Sequence, residues 1–121
     1  MITRSAALAN MKTKAIDTKR GRAIVSACDN ILSGKYVDQF VVNMINSGAG
    51  TAFNMKSNEV IANVALEVLH KKKGQYQFLH PNEHVYMSQS SNDTYPTAMH
   101  VAIFMNLKEV IPAIDILIKS L

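Results

Sequence analysis

Residues 88–97, SQSSNDTYPT, gather three serines, an asparagine, an aspartate, two threonines and a proline directly ahead of an apolar run that begins at Ala98. A helix start needs one good N-cap residue. The surplus of hydroxyl and amide groups is therefore either redundant capping or a binding site. Ser90, Ser91 and Asn92 can all donate through their side chains, and the free N–H groups of a helix's first turn add positive potential. A corner built this way suits an anion.

A second corner of the same kind lies upstream. SGAGT, residues 47–51, precedes a segment with helical periodicity. It is neither a Walker A loop, since no Gly-Lys-Ser/Thr follows, nor G-x-G-x-x-G. Its glycines permit a sharp turn or a close backbone approach. Thr51 adds a hydroxyl, with a helix N-terminus behind it. Each corner alone is as well explained by an ordinary turn or cap. Two such corners separated by one helix suit a small dicarboxylate, which needs hydrogen bonds at both ends.

The third candidate is His80-Pro81-Asn82-Glu83-His84, an H-x-x-E-H spacing also found in inverted zincins. Zinc needs both histidines a helical turn apart and a third ligand. The surroundings read as loop and offer no third ligand, so the competing reading is a polar loop whose histidines serve as hydrogen-bond partners. No metal and no cofactor is assigned.

Several elements must position these groups. Residues 5–15 read as a short helix. Asp17 can cap a second over 18–33, with Ile24, Val25, Ala27, Cys28, Ile31 and Leu32 on one stripe and Gly34 at the stop. The β-branched stretch 37–45, VDQFVVNMI, reads as extended. A helix over about 54–72 carries Val60, Ile61, Val64, Ala65, Val68 and Leu69 on one face. A long polar connection follows over 75–92, and a last helix begins behind a cap at Asp93 or Thr94, with Pro96 in its first turn. Pro112 is expected to kink or break that helix. Its apolar residues nearly encircle the axis, so it wants to be buried on all sides.

Composition narrows the class. The chain has 121 residues, is 48% hydrophobic and contains no tryptophan, which fits one folded unit built from aliphatic helix packing. One cysteine, Cys28, excludes an internal disulfide; set among apolar neighbours, it reads as a small buried hydrophobe in a reducing, cytoplasmic setting. The net charge of +4 is uneven, with Arg4, Lys12, Lys14, Lys19, Arg20 and Arg22 facing only Asp17 near the start, and Lys71-Lys72-Lys73 later. No aromatic residues interleave these basic groups, which argues against single-strand nucleic acid. Solvated helix faces are the plainer reading. Residues 98–107 are too short an uncharged run to span a bilayer, so no membrane partner is assigned.

SGAGTAFNMKSNEVIAN followed by HPNEHVYMSQSSNDTYPTAMH resembles the aspartase/fumarase superfamily, in order and at the family's spacing, and the likeness extends back through ACDNILSGKYVDQF. GAGT, the KKGQY step and GKYVDQF resemble the ammonia-lyase branch; HPN, SSND and PTAMH resemble class II fumarases. The resemblance implies a mainly α, L-aspartase-like fold: residues 1–88 as part of the N-terminal domain and 89–121 as the start of the central helical bundle. It implies reversible elimination of ammonia from L-aspartate to give fumarate. The alternatives are hydration of fumarate to malate, or a non-catalytic helical interaction module.

In that family a serine base removes a proton beside a carboxylate, and preorganised donors hold the aci-carboxylate that forms. Carried over by motif, Thr51, Ser90 and Ser91 would hold the carboxylate and Asn92 would reach the leaving group. His80, Asn82 and Glu83 match a second, non-catalytic anion site of fumarases. Ala49, Lys56, Glu83, Tyr86 and Ser91 depart from one branch or both, Lys56 and Tyr86 standing where asparagines are common. The later Thr-His pair and the GSSxMPxKxNP loop that bears the base do not occur in these residues. No catalytic residue is therefore assigned here, and the resemblance implies a serine base beyond Leu121. The chain is expected to be the front portion of a lyase, inactive alone, whose complete form is a homotetramer with a dicarboxylate substrate.

Overall fold

The computed structural model describes residues 1–41, 43 and 48–121. Its order is α1 (Ile2–Lys12), α2 (Thr18–Leu32), a 3₁₀ turn (Val37–Gln39), α3 (Thr51–Val68), a π-helical turn (Pro81–Val85) and α4 (Ser91–Ser120). There is no strand among the described residues, in keeping with the mainly α class.

α2 starts where Asp17 accepts the Arg20 N–H at 3.0 Å and stops at Ser33, just ahead of Gly34 at φ +91°. The capping bond, with Arg20 beside it, holds the Asp17 carboxyl below its ordinary range. The expected stripe packs inward: Ile24, Ala27 and Cys28 are buried, Val25 and Ile31 lie against the core, and Leu32 is exposed. α2 packs on both α1 and α3. α3 is the most deeply buried element, with Val60, Ile61, Ala62, Val64, Ala65 and Leu66 in the core. Leu79 and Val85 close that core from the long connection. Asn10 of α1 reaches across as well, its Nδ2 donating to the Met87 carbonyl at 3.0 Å.

Three expectations are corrected. The segment at 37–45 is not extended where it is described: Tyr36 takes a left-handed φ of +63° and turns the chain into the 3₁₀ turn. Burial explains this better than β-propensity, because Tyr36 packs on the core and its hydroxyl donates to Glu67 Oε2 at 3.3 Å. Residues 42 and 44–47, including the serine that opens SGAGT, lie outside the described residues. α3 begins at Thr51 rather than near 54, because Gly50 at φ +85° ends the glycine turn and hands the chain directly to the helix.

The third correction concerns α4. It begins at Ser91 behind Ser90, not behind Asp93 or Thr94, and it runs unbroken through Pro96 and Pro112 to Ser120, with Leu121 as its C-cap. A proline forfeits one backbone hydrogen bond and crowds one carbonyl, and α4 continues past Pro112 all the same. Only Ser91 and Thr94 of α4 are buried, while Ile103, Phe104, Ile111, Ile116 and Leu117 stand exposed. The helix leaves its apolar residues in the open, so within these residues the burial its pattern asks for is not supplied.

Candidate anion-binding site

The glycine turn and the doubled-serine turn meet. Asn54, one turn into α3, donates through Nδ2 to Ser91 Oγ at 2.9 Å. Gly50 faces the Tyr95 ring so closely that a Cβ on Gly50 would lie 2.2 Å from Tyr95 Cδ1. Phe53 meets the same ring edge-on, centroids 6.1 Å apart. The N-termini of two long helices are thus held side by side, with the Thr51, Ser91 and Asp93 N–H groups already partnered by the Gly48 carbonyl, the Tyr86 hydroxyl and the Ser90 carbonyl. The pairing concentrates positive potential at one place without a cationic side chain.

The expected donors divide into two kinds. Thr51, Ser90 and Asn92 are exposed, and Thr51 N–H donates to the Gly48 carbonyl at 2.9 Å, closing the turn. Ser91 is buried at 7% exposure and has several protein partners. Besides Asn54, its Oγ lies 3.2 Å from the Tyr86 hydroxyl, and its N–H donates to the same phenolic oxygen. Thr94, also buried, hydrogen-bonds through its hydroxyl to the Ser90 carbonyl and tightens the turn.

The His80 loop is built differently. His80 Nδ1 accepts the N–H groups of Asn82 at 3.1 Å and Glu83 at 3.3 Å, so the imidazole caps the π-helical turn. His84 Nδ1 accepts the His80 N–H at 2.8 Å. Both rings act as hydrogen-bond partners of the backbone, as the loop reading expects. Among the described residues no group of three His, Cys, Asp or Glu is gathered around a point. Burial, with Arg20 nearby, pushes the His84 pKa below its ordinary value. Asn82 and Glu83 are exposed.

The basic stretches are partly paired. Arg4 meets Asp29 at 2.6 Å, Arg20 meets Asp17 at 2.8 Å and Lys73 meets Glu67 at 3.3 Å. No helix among the described residues is long and apolar enough to cross a membrane. At the far end of α4, Leu121 is 99% exposed and carries only an aliphatic side chain, so it contributes nothing to the corner or to its chemistry.

A family model whose description is simply "Lyase" matches residues 1–121. The chain belongs to this lyase family. Its motifs place it in the aspartase/fumarase superfamily, as the resemblance implies. It is 53% identical over 110 residues to an aspartate ammonia-lyase of Helicobacter pylori, a stretch covering 91% of the chain and 24% of that protein. It is 49% identical over 115 residues to the aspartate ammonia-lyase of Bacillus subtilis, covering 95% of the chain and 24% of that protein. Among solved structures, a fumarate lyase:delta crystallin of Brucella melitensis in native form matches with TM-score 0.88 and 48% identity, over 90% of this chain and 25% of that one. The chain thus spans about a quarter of the length of the curated relatives it matches.

In this lyase chain, sequence reasoning missed two residues that build the corner, Asn54 and Tyr86, and a buried asparagine one turn along α3, Asn58. Asn54 and Asn58, four apart on α3, are buried at 9% and 1% exposure, and Asn58 Nδ2 has no hydrogen-bond partner among the described residues. The signal available was their recurrence on one helical face between apolar residues. Tyr86 reads in the sequence only as a departure from the family's asparagine; the reach of its hydroxyl to Ser91 needs the fold of the connection. A groove of about 310 Å³ runs beside the corner, lined by Phe40, Phe53, Tyr95, Val101 and Met105 among others. Its described lining is mostly apolar, with Thr3, Asn54, Ser57 and Thr94 among its polar side chains.

Proposed function

We propose that the protein containing this chain is an aspartate ammonia-lyase that removes ammonia from L-aspartate to give fumarate, and reverses the reaction. The observation that carries this reading is the Asn54–Ser91 hydrogen bond of 2.9 Å, which brings the two donor corners together. Identities near 50% to aspartate ammonia-lyases support the choice of amino acid over hydroxy acid.

The difficulty of the reaction lies in the carbon acid. Loss of a proton beside a carboxylate puts a second negative charge on that group. Donors already oriented at the developing charge stabilise it without reorganising. In this reading Thr51, Ser90 and Ser91 hold the carboxylate against the paired helix ends, and Asn92 reaches the departing amino group. The proton-abstracting serine of the family's GSSxMPxKxNP loop is not among these 121 residues. In this proposal it lies beyond Leu121 in the complete protein. The chain therefore supplies binding groups rather than the base, and alone it gives no turnover.

Further parts of the proposal concern the whole protein. Residues 1–88 form part of its N-terminal domain, and 89–121 open its central helical bundle. The protein is a cytoplasmic homotetramer whose subunits complete each other's sites. His80, Asn82 and Glu83 mark a secondary anion position whose side-chain donors are the His80 ring and the Asn82 amide, since the Asn82 and Glu83 N–H groups donate to His80 Nδ1 and the Glu83 carboxylate only accepts.

The test is substrate choice by protein expressed from its complete coding region. Release of fumarate from L-aspartate, and loss of fumarate absorbance only with ammonia, is expected. Loss of fumarate without ammonia would make the protein a fumarase. No reaction and no dicarboxylate binding would leave a helical interaction module.

A further inference from the structure

Tyr86 stands where the family commonly carries asparagine, and its hydroxyl meets Ser91 twice. The Ser91 N–H donates to the Tyr86 oxygen, and the Tyr86 hydroxyl lies 3.2 Å from Ser91 Oγ. The N–H fills one lone pair of the phenol oxygen and leaves its proton available to donate. Either oxygen of that pair can donate; with Tyr86 as the donor, its proton goes to Ser91 Oγ. Asn54 Nδ2 donates to the same Oγ at 2.9 Å. A serine oxygen has two lone pairs and one proton. Both lone pairs are thereby filled from the protein side, by Tyr86 and by Asn54. The Ser91 proton is left, and the hydroxyl can act only as a donor.

We infer that Tyr86 is a positioning residue which, with Asn54, commits the Ser91 hydroxyl to donating and so tunes the α4 corner to carboxylates. The inference rests on the dicarboxylate reading above. A carboxylate oxygen only accepts, so an obligate donor matches it. A carboxamide presents an NH₂ as well as a carbonyl; when the NH₂ faces Ser91 it meets a second donor. A hydroxyl free to rotate would accept from that NH₂ and discriminate less. Tyr86→Phe keeps the ring's packing and removes the hydroxyl, which returns one lone pair to Ser91 Oγ and also takes the acceptor from the Ser91 N–H.

The experiment uses protein from the complete coding region and two unreactive probes, succinate and succinamide, measured by calorimetry. The wild type is expected to prefer succinate. Tyr86→Phe is expected to narrow the succinate-to-succinamide preference by about tenfold, the scale of one hydrogen bond to a charged group. Asn54→Ala, which frees the other lone pair, should narrow it in the same sense. If Tyr86→Phe weakens both probes equally, or changes neither, the positioning role is overturned while the function stands. If the wild type binds no succinate, the dicarboxylate reading fails and takes this inference with it.

Discussion

Gly50 packs its backbone against the ring of Tyr95, and no side chain fits between them: a Cβ would meet Cδ1, Cε1 and Cγ of that ring at 2.2–2.4 Å. This contact sets the distance between the α3 and α4 N-termini. Gly50 also holds φ at +85°, a region costing other residues about 1–2 kcal/mol. Gly50→Ala should therefore destabilise the chain by about 2–5 kcal/mol, strain and overpacking together. Gly34, at φ +91° with nothing within 4 Å, is the control; Gly34→Ala should cost only the strain, about 1–2 kcal/mol. Urea unfolding measures both. Adding Tyr95→Ala to Gly50→Ala should recover the overpacking part, and no recovery would mean the ring is not the obstacle.

The Asn54–Ser91 bond makes a second claim on stability. Both groups are buried, so removing one partner strands the other at a cost of about 1–3 kcal/mol. Asn54→Ala and Ser91→Ala should each destabilise by that amount. The double variant should lose less than the sum, with a coupling of about 0.5–1.5 kcal/mol. Strict additivity would mean the two corners are not joined through this bond.

How much of this is readable from sequence differs by element. The α2 stripe and its Asp17 cap follow from periodicity and a local bond, and the structure repeats them nearly residue for residue. Both donor corners are visible as motifs, because capping chemistry is local. Their meeting cannot be read from periodicity, since it depends on how α3 and α4 cross. The start of α4 escapes sequence reading because Ser91 is pinned by Asn54 and Tyr86, each distant or irregular in sequence. The 37–45 segment misleads because its β-branched residues are mostly exposed where described, so propensity has no packing behind it, whereas Tyr36 does.

His84 should make stability depend on pH. Its Nδ1 accepts the His80 N–H, a bond only the neutral ring can make at that atom. Desolvation and the Arg20 charge lower its pKa, with His80 adding to the effect and Glu83 and Asp17 opposing it. The folded pKa lies below the unfolded one, so the stabilisation is full above the ordinary value of 6.5 and is lost as pH falls through the folded value. Stability should thus drop as pH is taken from neutral down past that value. His84→Gln should flatten this part of the profile. A wild-type profile already flat there would refute the role given to the ring.

Cys28 should be chemically silent in the native state. Burial pushes its thiol pKa up to about 11, so little thiolate exists near neutrality. Labelling by a thiol-reactive disulfide should proceed no faster than local or global opening and should accelerate in urea. Cys28→Ser would bury a hydroxyl with no assigned partner and cost about 1–3 kcal/mol. Rapid native labelling would mean α2 opens far more easily than its packing on α1 and α3 suggests.

α4 carries the last prediction. Beyond Thr94 it buries no residue, and Ile103 at 56%, Phe104 at 68%, Ile116 at 70% and Leu117 at 57% exposure stand open along it. A lone monomer does not usually leave so much apolar surface in water. The 121-residue chain should therefore associate as concentration rises, and sedimentation equilibrium should detect this. Replacing Ile103, Phe104 and Leu117 by glutamine should shift the distribution toward monomer. It should leave the unfolding of the α1–α3 core nearly unchanged, because none of the three is buried in it. If the wild type stays monomeric at high concentration, the exposed face is held in some other way, such as folding back on the core. Loss of core stability in the glutamine variant would point to the same conclusion.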